Sequence, residues 1–204
     1  MQRGLPQRKN LPNVKKVVAV SSAKGGVGKS TVITNVLNTL SKQGVDVKVA
    51  EFGTLMFEQA KLLSIANRDE LRKLTLEQQR SLQEITANYI FSLKNEVVII
   101  DTHLFISTVE GYYPGIPSKL LDILKPTHLI LLTADSDEVC ERRKTDIARQ
   151  RDLITADEIS NELNISKIMI ASSSIFSGCP FSIVQNNNGQ LEEATMRICK
   201  TIIH

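Results

Sequence analysis

Cysteine, aromatic side chains and net charge are all scarce in this chain. Its 204 residues include three cysteines. They are Cys140, Cys179 and Cys199, widely spaced and with no C-x-x-C pair. That pattern supports neither a zinc site nor a disulfide framework, and it fits a reducing, cytoplasmic setting. Tryptophan is absent and aromatic residues make up 4% of the chain. A net charge of +3 is too mild to argue for nucleic acid, so no nucleic-acid partner is expected. No apolar run approaches the roughly 20 residues that span a bilayer, so no membrane partner is expected either. The first residues lack the apolar stretch of a secretory signal. They are basic, as in an organellar targeting segment, but Pro6 and Pro12 interrupt any amphipathic helix there.

Acidic residues are missing from one region altogether. No Asp or Glu precedes Asp46, whereas Arg3, Arg8, Lys9, Lys15, Lys16, Lys24, Lys29 and Lys42 all do. The first quarter of the chain therefore reads as positive. A basic surface there would favour capture of a polyphosphate; a solvated basic arm explains residues 3–16 equally well.

Within that region lies Ala23-Lys24-Gly25-Gly26-Val27-Gly28-Lys29-Ser30-Thr31. It follows the apolar run Val17-Val18-Ala19-Val20 and precedes a helical pattern. This is a phosphate-binding loop in its proper setting. Glycines let successive backbone N–H groups turn toward one anion, and the helix that starts there adds its positive end. Lys29 suits the β- and γ-phosphates, and the Ser30 hydroxyl suits Mg²⁺. The usual pattern, G-x-x-x-x-G-K-[ST], begins with glycine, and here Ala23 stands in that place.

The rest of the pattern alternates short apolar strands with helices. Strands are expected at 17–22, 45–50, 97–100, 127–132 and 181–185. Helices are expected at 31–43, 54–65, from Thr75 to about 93, 118–124, 136–148, 154–177 and 191–203. Residues 111–117, rich in glycine and proline, read as a loop, and 186–189 as a turn. Strands apolar on both faces and separated by helices signify a parallel sheet covered on both sides. With the phosphate loop after strand one, the fold class is α/β: a P-loop NTPase-type parallel sheet of about five strands. Residues 1–14 read as a flexible basic arm and 15–204 as a single domain. Ligands are expected at the carboxyl ends of the strands.

Asp101 follows four apolar residues at such a strand end and could hold Mg²⁺ through water; a loop N-cap is the plainer alternative. Arginines cluster twice, at Arg68 and Arg72, and at Arg142, Arg143, Arg149 and Arg151. Phosphoryl transfer needs alignment and charge neutralisation more than covalent help, and guanidinium forks suit that task. Surface pairing with Asp69, Glu70, Glu141, Asp146 and Asp152 is the alternative. His103 reads as a polar neighbour of the site, His128 as structural, and His204 is uninformative.

Several of these segments resemble archaeal-type adenylate kinase. They are Phe52-Gly53-Thr54-Leu55-Met56, Arg68-Asp69-Glu70-Leu71-Arg72-Lys73-Leu74, Asp101-Thr102-His103, the run from Gly111 to Pro117, and Arg149-Gln150-Arg151-Asp152. Together the likeness spans about residues 31–204. It implies reversible phosphoryl transfer from MgATP to AMP, giving two ADP, by a cytoplasmic enzyme that commonly forms trimers. It implies that Gly53, Thr54, Arg68 and Arg72 bind AMP within a region spanning 52–76. Lys29, Asp101, Arg149 and Arg151 would be catalytic, with a lid at 140–152. The loop 23–31 and Arg142 would hold ATP. The front differs: 3–6, 14–17 and 22–31 resemble Mrp/ParA-type ATPases, in which the extra lysine, here Lys24, reaches a dimer partner's nucleotide. Such an ATPase, as iron–sulfur carrier or nucleotide-switched dimer, is the second reading. It wants a C-x-x-C pair and a switch after the Asp101 strand, and the chain has neither. A kinase for another nucleoside monophosphate is the third.

Overall fold

The computed structural model describes residues 15–23, 25–63, 65, 67, 70, 74–108, 111–145 and 155–203. The expected arm at 1–14 lies outside the described residues. The main sheet has five parallel strands: β1 (Lys16–Ser22), β2 (Val47–Glu51), β3 (Val97–His103), β6 (His128–Thr133) and β7 (Phe181–Gln185). Their order is β2-β3-β1-β6-β7. Along β1, β3 and β6 nearly every residue is buried. Strands covered on both faces must be apolar throughout rather than alternating, and these sequences are.

The helices are α1 (Lys29–Lys42), α2 (Phe52–Leu62), α3 (Leu76–Ser92), α4 (Ser118–Leu124), α5 (Ser136–Thr145), α6 (Ala156–Ser177) and α7 (Leu191–Ile203). α1 packs against α7, while α3, α4 and α6 pack in series. The aliphatic core between these layers includes Val18, Val20, Ile99, Ile100, Leu129, Ile130 and Leu131, none more than 2% exposed. Each such side chain, once fully buried, contributes about 1.5–3 kcal/mol. α3 and α6 open with complete capping boxes, Thr75 with Gln78 and Thr155 with Glu158.

Three expectations need correction. Residues 111–117 are not simply a loop. β5 (Gly111–Pro114) pairs antiparallel with β4 (Phe105–Thr108), and the edge-to-face contact of Phe105 with Tyr112, 4.9 Å between centroids, holds the ribbon together. Gly115 then lies so close to β3 that a Cβ would collide with the His103 carbonyl. The β3 strand does not stop at Ile100 but runs to His103, because Val20, Ser21 and Ser22 of β1 continue to pair with Asp101, Thr102 and His103.

The third correction concerns Lys15 and Lys16, which do not face the phosphate loop. They sit at the amino end of β1, about 20 Å away at ~3.3 Å per residue. Successive residues of a strand point to opposite faces, and the two ammonium groups follow that rule. Lys15 Nζ donates to the carbonyls of Phe91 (2.8 Å) and Leu93 (2.6 Å) at the end of α3. Lys16 Nζ donates to Ile202 O (2.6 Å) and Ile203 O (3.1 Å) at the end of α7. Each satisfies orphan carbonyls at a negative helix end.

Candidate active site

β1, β2 and β3 deliver their carboxyl ends to one edge, and α1 starts there. Ala23 and Val27 are buried, pinning the loop to the core. Gly26 and Gly28 have φ of 110° and 78°, a region where a Cβ is strained. Gly28 is the N-cap of α1, no side chain caps the helix, and no acid lies in its first turn. The first N–H groups of α1 are therefore without a side-chain partner, which is the geometry that takes an anion.

Lys29, in that first turn, reaches across to β3. Its ammonium pairs with Asp101 Oδ1 and donates to the Thr102 carbonyl. The two side chains are 9% and 18% exposed. Burial pushes the Lys29 pKa down; the Asp101 carboxylate, and behind it Glu51, oppose that shift. Strand register explains the grouping, because Asp101 pairs with Val20 on one side and Glu51 on the other. His103 lies beside them, level with Ser22. Desolvation, and then the Lys29 charge, hold its pKa below 6.5, with the Asp101 carboxylate opposing.

On the β2 side, Gly53 and Thr54 lie in the first turn of α2, which opens at Phe52. A Cβ on Gly53 would meet nothing within 4 Å, so packing does not explain that glycine. Thr54 Oγ1 donates to Glu51 Oε2 at 3.0 Å. On the other side, α5 lies along the loop. Arg142 Nη2 pairs with Glu138 Oε2 at 3.0 Å, and Arg142 also donates to the Asn186 carbonyl at 3.1 Å and to Asn188 Oδ1 at 2.7 Å. Arg143 is buried and donates from Nε to the Gly25 carbonyl at 2.7 Å. Thus the structure brings Lys29, Ser30, Thr31, Asp101 and Arg142 to one edge with the loop. Lys24, Arg68, Arg72, Arg149 and Arg151 lie outside the described residues. Sequence reasoning missed Glu51, Thr102 and Asn186. Asn186 stands directly after β7, and that position at a strand end was its only signal.

Ser30 and Asp101 place a hydroxyl and a carboxylate on this edge. Such oxygen donors are what Mg²⁺ accepts when phosphates supply the rest of its shell. The residues therefore fit the metal.

A parallel sheet with strand order 2-3-1-6-7, a phosphate loop after β1 and an acid toward the carboxyl end of β3 together define a P-loop nucleotide-binding protein. The AAA domain family matches residues 25–160. Shikimate kinase from Acinetobacter baumannii has the same fold, with a TM-score of 0.55, 12% identity and 93% of each chain covered. Shikimate kinase from Bacteroides thetaiotaomicron gives a TM-score of 0.54 at 13% identity, covering 93% of this chain and 99% of its own. At those identities only the fold is shared. Sequence relatives go further. The adenylate kinase of Methanocaldococcus jannaschii is 32% identical over 191 residues, covering 93% of this chain and all of that protein. Those of Methanoculleus marisnigri and Thermoplasma acidophilum are 37% and 36% identical, covering 82% and 90% of this chain and 88% and 97% of their own. The chain belongs to the adenylate kinase family.

Proposed function

We propose that the chain transfers the γ-phosphoryl group of MgATP to AMP, reversibly, giving two ADP. The observation that carries this reading is the uncapped start of α1 with Lys29 beside it, in a chain of this family. ATP phosphates replace the missing cap, lying against the loop 23–31. Lys29 turns from Asp101 to the β- and γ-phosphates, and Asp101 and Ser30 are the residues that would hold Mg²⁺. When bound, the metal neutralises phosphate oxygens and fixes their geometry.

AMP occupies the β2 side, in a region spanning 52–76, with Gly53 and Thr54 beside it and Arg68 and Arg72 on its phosphate. Arg149 and Arg151, in a lid spanning 140–152, meet the charge that develops on the moving phosphoryl group, and Arg142 belongs to the ATP side. This chemistry needs no nucleophile on the protein. The enzyme works in the cytoplasm, as a homo-oligomer for which the family resemblance suggests a trimer. Neither nucleic acid nor membrane enters its reaction; among the described residues no helix is long and apolar enough to cross a membrane. The likeness of the front to Mrp/ParA-type loops is one of sequence, and Lys24→Ala decides whether it carries a function.

The test is a coupled assay of ADP formation from MgATP with AMP, CMP, UMP or GMP as acceptor. AMP should be preferred strongly. Preference for another base would move the chain to a different nucleoside monophosphate, and hydrolysis without any acceptor would favour the ATPase reading.

A further inference from the structure

The phosphate loop is gripped from behind. The Gly25 carbonyl accepts from Arg143 Nε at 2.7 Å, the Gly26 carbonyl from Arg142 Nη1 at 3.4 Å, and the Val27 carbonyl from Asn186 Nδ2 at 2.8 Å. Three successive carbonyls are thus held by side chains from α5 and the end of β7. In a trans peptide the C=O of one residue points opposite to the N–H of the next. Fixing those carbonyls therefore turns the N–H groups of Gly26, Val27 and Gly28 away from Arg142, Arg143 and Asn186.

Asn186 is the fixed point of this grip. It is 5% exposed. Its own N–H donates to the Thr133 carbonyl at 2.8 Å, tying it to β6. Its carbonyl accepts both terminal nitrogens of Arg142 at 3.1 Å. The loop glycines are shaped around the same contacts. A Cβ on Gly28 would come within 2.7 Å of Asn186 Nδ2, and one on Gly26 within 3.0 Å of Val139 and 3.3 Å of Arg143.

We infer that Asn186 is a positioning residue for the phosphate loop: its side-chain amide orients the loop N–H groups that bind the nucleotide's phosphates. It touches neither base nor reacting atoms. This deepens the kinase reading and rests on the loop being the ATP phosphate site.

The test compares Asn186→Ala with Asn186→Asp. The aspartate keeps the size but cannot donate when ionised. Calorimetry measures the Kd of MgATP and of magnesium tripolyphosphate, and kinetics give the KM of AMP at saturating ATP. A buried acceptor left unpaired raises both Kd values about tenfold. Both substitutions should do so by the same factor for ATP and tripolyphosphate, while the KM of AMP stays within about twofold. Thermal melting confirms folding, and the isosteric aspartate carries the test if the alanine variant does not fold. Unchanged Kd values overturn the inference. So does a loss confined to ATP, which would place Asn186 on the base, or an equal loss for AMP, which would make the residue merely structural. Lys29→Ala separates the two levels: if it leaves tripolyphosphate binding intact, the phosphate site itself is misplaced, whatever Asn186 does.

Discussion

α1 and α6 begin in opposite ways. α6 closes its first turn with its own side chains: Thr155 and Glu158 exchange bonds, and Asp157 and Glu158 bring acid to the positive end. α3 does the same through Thr75 and Gln78. α1 begins at a glycine with no side-chain cap and no acid in its first turn, and it places a lysine there. A cap contributes about 1 kcal/mol to stability, so leaving it out has a cost. α2, which starts from Glu51 near the same edge, is likewise uncapped. An open start is not by itself a site, since α4 also begins without a side-chain cap, at Pro117; what sets α1 apart is the lysine in its first turn and the glycine-rich loop before it.

The substitution with the largest expected effect removes the cation from the open end. Lys29→Ala should lower kcat about 100-fold or more, since it takes a preorganised charge from a largely buried site. Initial rates at saturating ATP and AMP measure it, and near-normal kcat would contradict the site assignment. Next come the arginines. Arg149→Ala should lower kcat more than it weakens ATP, as for a contact that strengthens in the transition state. Arg72→Ala should mainly raise the KM for AMP. If Arg149→Ala changes only the KM for ATP, the second cluster binds and does not catalyse.

Lys24→Ala sharpens the comparison from the other direction. If Lys29 is the cation that matters at this helix end, Lys24 is dispensable, and turnover should stay within about tenfold, or ~1.4 kcal/mol of barrier. Light scattering should then show no ATP-dependent dimer. A dimer formed on ATP and lost in Lys24→Ala would favour the Mrp/ParA-type reading. Thr155→Ala removes a closed end instead. It should cost about 1 kcal/mol of stability and about 2–4 °C of melting temperature, with kcat and both KM values unchanged.

The smallest effect is one of pH. His103 and His128 are both held below 6.5 by desolvation. Between their folded pKa values and 6.5 the unfolded chain binds more protons. Their contribution to stability is therefore full above pH 6.5 and falls as the solution is acidified through that window. Melting temperature should drop from pH 7 to 5.5, and replacing both by glutamine should flatten the slope.

Much of this was legible in the sequence because the signals were local. Val97–Ile100 followed by Asp101 identifies a buried strand carrying an acid, though not how far that strand runs on. Gly25–Ser30 identifies the loop, and Thr75 with Gln78 a helix start. α4, β7 and α7 fall where expected. What was not legible depends on long-range pairing. The ribbon of β4 and β5 looked like a glycine- and proline-rich loop because its stabilising contacts are cross-strand. Lys15 and Lys16 looked like part of a phosphate-attracting surface, and only the direction of β1 places them at helix carboxyl ends. The bond from Asn186 to Val27 joins residues 159 positions apart, and no spacing rule reaches that far.

Two-substrate initial-rate kinetics test the central claim most directly, with ATP and AMP both varied in the presence of Mg²⁺. A site that holds donor and acceptor together, with no nucleophile of its own, gives intersecting double-reciprocal lines and two ADP per turnover, with no labelled protein from γ-labelled ATP. Parallel lines, or an isolable phosphoenzyme, would contradict the account.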